Sequence, residues 1–367
     1  MLKNVQALRA VAVLLVVLDH TNGELPHEKF VATLFLSFGY IGNFGVDLFF
    51  AISGFIMLTT TWAHFAEPGV SRSFLMRRFV RIYPPYWLVL APIVLVYLVA
   101  SHTLMRSHAG HSDILASILL LPQQNAPLLI VSWTLVYEMY FYLVFSAIMA
   151  FPQRAFLTLM LCWSALQLAL SFAFAKNSNT YLDFFSWPLS IEFMLGTIVG
   201  YLYVTSRMPF AGAVAAGGAL MVVVTWIVSA TPGLTADLTK NDIWRVAQFG
   251  FPASMIVYGL VGLERQGRFI ATGWSVRLGD SSYAIYLWHV PMMIVAGNLA
   301  FRFGVHGAAE DAIVQIVMLA VIIVWGLAIY RFFELPVTKY LNTIVARFAV
   351  PPRAAGPLSG PASESAV

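Results

Sequence analysis

Residues 2–21 read LKNVQALRAVAVLLVVLDHT, an apolar stretch that holds Arg9, Asp19 and His20 within it. Some twenty mostly apolar residues, coiled at about 1.5 Å each, cross a hydrocarbon layer of about 30 Å, so the stretch reads as a transmembrane helix. Ionisable groups inside such a helix cost several kcal/mol each at mid-bilayer and are kept where they face protein or water. Arg9 and His20 are about three turns apart, which puts them on one face with roughly 16 Å between them along the axis. Asp19 lies next to His20 in sequence but points about 100° away around the helix.

The rest of the chain agrees with a membrane setting. Of 367 residues, 60% are hydrophobic and 10% charged, too little polar surface to cover a water-soluble globule of this size. The net charge of +4 is small for the length and is spread along the chain, which argues against a nucleic-acid partner. A single cysteine, Cys162, sits in the run FLTLMLCWSALQLALSF and offers neither a disulfide framework nor metal-ligand spacing. Lys3 followed by an apolar run resembles a secretory leader, but three ionisable groups interrupt that run and no small-residue cleavage site follows, so it reads as a retained span.

Apolar stretches near twenty residues recur ten times, at about 4–21, 41–62, 84–101, 132–151, 155–175, 183–205, 210–230, 243–263, 280–301 and 311–333. The expected fold is therefore all-α, a polytopic membrane protein of about ten spans. An even number returns both termini to one side. With the N-terminus inside, fifteen of the 21 Lys and Arg fall on the inner side, leaving Lys29, Arg106, Lys176, Lys240, Arg245 and Arg302 outside. That bias predicts cytoplasmic termini. Between His102 and Ser132 the segment SILLLPQQNAPLLIV, broken by Pro122 and Pro127, reads as an interfacial or re-entrant piece on the outer side. The body is expected over 1–340, with a cytoplasmic tail over 341–367 that is disordered from about 351, where Pro, Ala, Gly and Ser dominate. No internal repeat or appended soluble domain is evident.

The polar residues within the apolar runs carry the chemistry. His20 has the residue type to take a proton from a hydroxyl near neutral pH, although a membrane histidine also serves as a hydrogen bond between helices. The segment SRSFLMRRFVRIYPPYW places Arg77, Arg78 and Arg81 together at the inner boundary. If helical, they share a face and present guanidinium forks suited to phosphate, while topology alone would also put basic residues there. Asp47 in NFGVDLFFAISGF, Glu138 in SWTLVYEMYFYLVF and Glu192 in PLSIEFMLG are carboxyl groups within spans. Each must pair with a cation or hold a proton, and Arg9 and His20 are the evident partners. The ninth span, LGDSSYAIYLWHVPM, adds Asp280 and a second intramembrane histidine, His289, with Pro291 just beyond.

These stretches, in this order, resemble the acyltransferase 3 family of bacterial integral-membrane O-acyltransferases, most of all its exopolysaccharide-acetylating branch. The resemblance runs over roughly 1–340 and rests on LRAVAVLLVVLDH with Arg-x10-His, GVDLFFAISGFI, RRFVRIYPPYW with Arg-x-x-Arg at Arg78 and Arg81, SWTLVYEMYFYLVF, LGDSSYAIYLWHVP, and FFELP with Glu334 and Pro336. It implies that an acetyl or other short acyl group passes from cytoplasmic acetyl-CoA to a hydroxyl of an exopolysaccharide, O-antigen or lipid-linked glycan. It makes His20 the catalytic residue and Arg9 its partner, with Arg78 and Arg81, flanked by Arg77, binding the donor's phosphates. Glu138 and Asp47 would orient or tune His20, no metal is called for, and a bacterial inner membrane is the implied setting. With no appended esterase-like domain, acceptor choice would rest in the membrane body and its outer loops. The residues alone leave two other readings open: a transporter or flippase for a glycan or lipid, which usually shows related halves, and a non-catalytic scaffold of a polysaccharide-assembly complex.

Overall fold

The computed structural model of the chain describes residues 2–21, 31–100, 112–174, 180–230, 242–303 and 308–348. Among these there is no β-strand. The helices are α1 (Lys3–Thr21), α2 (Val31–Thr61), α3 (Val70–Ala100), α4 (Ile114–Leu119), α5 (Trp133–Met149), α6 (Phe156–Ala173), α7 (Thr180–Ser186), α8 (Ser190–Thr205), α9 (Ala211–Ala230), α10 (Asp242–Arg245), α11 (Phe251–Arg265), α12 (Gly273–Asp280), α13 (Ser282–Arg302), α14 (Ala308–Ile329) and α15 (Leu335–Phe348). Among the described residues ten helical stretches are long and apolar enough to cross a membrane, each overlapping one of the ten read from the sequence. The chain is a multi-pass membrane protein.

Burial sorts the spans. The stretches within α1 and α2 are among the most buried, whereas α9 and the α14–α15 stretch, more apolar, are among the least. Lipid accepts an apolar exterior, so the polar-bearing spans gather at the centre and the purely apolar ones surround them. α1 packs on α2, α11, α12 and α13, and α2 packs on α8 as well. Gly45 permits the α1–α2 approach, since a Cβ there would stand 2.5 Å from the Ala12 carbonyl oxygen. Gly279 does the same for α12, where a Cβ would meet the Gln6 carbonyl at 2.0 Å. The start of α1 is fixed by Glu264, whose carboxylate accepts from the backbone N–H groups of Lys3 and Asn4, both at 2.8 Å. These are orphan donors of a helix N-terminus, where an acid is favoured.

Two boundaries differ from the sequence reading. The third span does not begin at 84: α3 starts at Val70 and continues through Pro84, Pro85 and Pro92. Prolines remove backbone donors, and neighbouring hydroxyls tend to supply the freed carbonyls in a bundle. Next to Val80 and Arg81, whose carbonyls lose their helical donors to Pro84 and Pro85, the Tyr283 hydroxyl donates to the Ile82 carbonyl at 2.9 Å. At the other end, a π-helical turn over Tyr330–Glu334 leads into α15, so the helix passes the expected body boundary at 340 and reaches Phe348. The tail expected to be disordered from about 351 lies outside the described residues.

The proline-broken segment folds onto α3. α4 ends at Leu120 in a left-handed conformation, and its last carbonyls are taken by α3 side chains. Tyr86 donates to Ser117 O (2.6 Å), Trp87 to Ile118 O (3.0 Å) and Tyr83 to Leu119 O (2.9 Å). Non-helical backbone is tolerated at membrane depth only where protein satisfies it, and three aromatic donors do so here.

Candidate active site

A cavity of about 750 Å³, counting its open mouth, lies between α1, α2, α3, α5 and α13. Its polar wall is built from Arg9, Arg78, Arg81, Glu138, Ser53 and Tyr142, and its apolar wall includes Val46, Phe49, Phe50, Ile52 and Ile56 of α2.

Arg9 is 7% exposed and is held from its own helix. Its Nη1 donates to Gln6 Oε1 at 3.2 Å, one turn back, and Gln6 Nε2 donates in turn to Asp280 Oδ1 at 2.5 Å. Asp280 thus steadies Arg9 through Gln6. Arg81, Glu334, Asp280 and Glu138 all act on the Arg9 charge. The first span and the arginine segment therefore meet, as their shared placement at one end of the bundle implied.

On α3 the three-residue spacing turns Arg78 and Arg81 to the same side. The Arg78 guanidinium lies 5.2 Å from the centroids of both the Phe74 and Tyr142 rings, two cation–π contacts from rings set edge to face at 87°. Arg77 does not join them. It is exposed and donates back to Ser73 Oγ at 2.8 Å, outside the cavity lining, because one residue's offset rotates it about 100° off the Arg78 face. The expected trio is in geometry a pair, completed by Arg9.

Glu138 faces the same space. Its Oε1 accepts from Ser53 Oγ at 3.1 Å and, more closely, from the Tyr142 hydroxyl. Tyr142 therefore links the carboxylate to Arg78. Neither Tyr142, Ser53 nor Gln6 stood out in the sequence, since a Tyr or Ser in an apolar run carries no charge to signal a role.

His20 does not line this cavity. Two of its lining residues, Tyr286 and Phe49, meet edge to face with ring centroids 6.2 Å apart. Tyr286 is fixed by donating to Val131 O at 2.7 Å, with Thr134 Oγ1 also at 2.7 Å. His289 is one turn farther along α13, its ring 5.6 Å from Tyr286, and His20 abuts His289 at 4.9 Å with planes at 82°. His20 Nδ1 is 2.9 Å from Val16 O, and a carbonyl only accepts, so Nδ1 carries the hydrogen and Nε2 the lone pair.

Asp47 belongs elsewhere. Rather than pairing with Arg9 or His20, it receives two bonds from Arg245, Nε to Oδ1 at 3.1 Å and Nη2 to Oδ2 at 3.2 Å. Glu192, fully buried, interacts with the same Asp47–Arg245 pair, and Arg245 also acts on Asp19 beside His20. The sequence reading counted Arg245 only as an outer charge. An arginine at the head of the eighth apolar run needs an acid, and that was the available signal.

A protein-family model described as an acyltransferase domain matches residues 2–331. The exopolysaccharide production protein ExoZ of Rhizobium meliloti (strain 1021) is 30% identical over 313 residues, covering 82% of this chain and 90% of the relative. The acyltransferase MdmB of Streptomyces mycarofaciens is 26% identical over 357 residues, covering 86% of each. No solved structure matches. With residues 2–331 matched by the family model and a relative 30% identical over 82% of the chain, the chain belongs to the acyltransferase 3 family and is an acyltransferase.

Proposed function

We propose that the protein transfers a short acyl group, acetyl foremost, from cytoplasmic acyl-CoA to a hydroxyl of an exopolysaccharide, O-antigen or lipid-linked glycan, with His20 as general base in a bacterial inner membrane. One observation carries this reading: the same cavity is lined by three arginines and by Tyr286, whose ring neighbours His289 and, through it, His20. Coenzyme A is polyanionic at one end and a slender, weakly polar arm at the other. Arg9, Arg78 and Arg81 suit its phosphates, since guanidinium forks bind phosphate oxygens in pairs. The α2 wall of Val46, Phe50, Ile52 and Ile56 suits the arm.

The arm reaches His20 past Phe49, a ring that has no hydrogen-bonding group to fix it. There His20 Nε2 takes the acceptor hydroxyl's proton as its oxygen bonds to the thioester carbonyl carbon. The carbon–sulfur bond breaks, and the imidazolium returns the proton to the leaving thiolate. Direct transfer is favoured over a side-chain intermediate because the cavity lining offers no cysteine and Ser53 donates to Glu138. Glu138 orients the arginine end through Tyr142. Asp47 holds Arg245, whose charge acts on Asp19 beside His20. The exopolysaccharide named for the relative is the basis for a glycan acceptor.

The test is donor binding and label transfer by the purified protein in nanodiscs. Labelled acetyl-CoA with candidate glycans is expected to give labelled glycan, and Arg78→Ala and Arg81→Ala are each expected to weaken donor binding tenfold or more. Unchanged donor affinity in both folded variants would remove the arginines from the donor site.

A further inference from the structure

Resting on the assignment of His20 as the base, we propose that His289 is its positioning residue: it sets the plane of the His20 ring and receives a share of its charge when that ring becomes an imidazolium. His289 is fully buried on α13. Its Nδ1 lies 2.5 Å from Tyr286 O, so this nitrogen is the donor and Nε2 bears the lone pair. That Nε2 is buried without a hydrogen-bond partner. A buried acceptor left without a donor is uncommon enough to call for a reason. The neighbouring ring supplies one. His20 stands perpendicular to His289 with centroids 4.9 Å apart, and its own Nδ1 is likewise tied to a main-chain carbonyl, so both rings are held at Nδ1 and both leave Nε2 open.

In the resting state two neutral imidazoles gain little from this contact. Once His20 Nε2 accepts the acceptor's proton, its ring is a cation away from bulk water, and a second imidazole offers it either a π face or a lone pair. The tie to Tyr286 has a further consequence, because the same residue lines the arginine cavity. Tyr286 is bound through its hydroxyl to Val131 and Thr134 and through its carbonyl to His289. A lining residue of the donor cavity and the ring beside the base thus share one turn of α13.

The test compares His289→Phe, which keeps a flat ring and removes both nitrogens, with His289→Gln, which restores an acceptor. His289→Phe is expected to lower kcat at least tenfold while donor KM and donor affinity stay within twofold, and His289→Gln is expected to recover part of kcat. In the His20→Ala background, His289→Phe is expected to cause no further loss. A folded His289→Phe with parental kcat overturns the positioning role, as does an equal loss for Phe and Gln. Full activity in His20→Ala overturns the base assignment instead, which separates the two failures. If His289→Phe does not fold, ring-¹⁵N spectra of the parent in bilayers decide the matter against His289→Gln: a His20 Nε2 resonance that does not move between them overturns the proposal.

Discussion

At the residue scale, the site depends on how few groups hold each charge. Arg78 sits against the Phe74 and Tyr142 rings, and a lysine cannot reproduce the paired forks of its guanidinium. Arg78→Lys is accordingly expected to lose about tenfold in donor affinity, roughly 1.4 kcal/mol, as measured by calorimetric titration with acetyl-CoA. Tyr142→Phe keeps the ring over which Arg78 lies and removes only the hydroxyl that Glu138 accepts. Its expected cost is about 1 kcal/mol in stability, read from thermal unfolding in detergent, with donor affinity less affected than by Arg78→Lys. What was legible at this scale was the ionisable residues within apolar runs, Arg9, His20 and Glu138, and the basic cluster at the inner boundary that holds Arg78 and Arg81. Their partners were not legible. Nothing in the local sequence joins Asp47 to Arg245, 198 positions away, and the neutral groups that orient the charges, Gln6, Ser53 and Tyr142, look like ordinary helix residues until the helices are packed.

At the scale of elements, close helix approach and paired burial set the tolerances. A side chain at Gly45 would enter the Ala12 carbonyl at 2.5 Å and meet Val16 at 2.8 Å, contacts that only a shift of α1 relieves. Gly45→Val is expected to cost about 1–3 kcal/mol and to reduce turnover by moving His20. Gly217→Ala, where the nearest atom is the flexible end of Met255 at 3.3 Å, is the tolerated control. Arg245 and Asp47 tie α10 to α2, and the carboxylate end of that pair is fully buried. Removing one partner strands a charge, so Arg245→Leu is expected to destabilise by about 3 kcal/mol. The double change with Asp47→Leu is expected to be milder than the single one, which comparative unfolding in detergent checks. Element boundaries explain what the sequence concealed. Consecutive prolines at 84 and 85 read as a break, yet α3 carries the arginines and the prolines on one continuous helix, with Tyr283 and the α4 segment bonding to its side chains and backbone.

At the scale of the whole molecule, the ten spans were legible because lipid imposes length and composition on each one separately, and no distant contact is needed to recognise them. Their arrangement was not, since the hydropathy of a span does not name its neighbour. The proposed sidedness gives a separate test. In a Cys162→Ser background, Arg154→Cys, Arg207→Cys and Arg268→Cys are expected to react with a membrane-impermeant thiol reagent from the cytoplasmic face, and Arg302→Cys from the other. A mixed pattern among the first three would reject the topology. The central claim is that a donor held by the arginines is consumed at His20. Its most direct measurement is single turnover by His20→Ala in nanodiscs, with bound labelled acetyl-CoA and an acceptor. Donor affinity within twofold of the parent and transfer slowed by at least about 10²-fold, the usual contribution of a general base, is the expected result; parental transfer by a folded, inserted His20→Ala protein would contradict it.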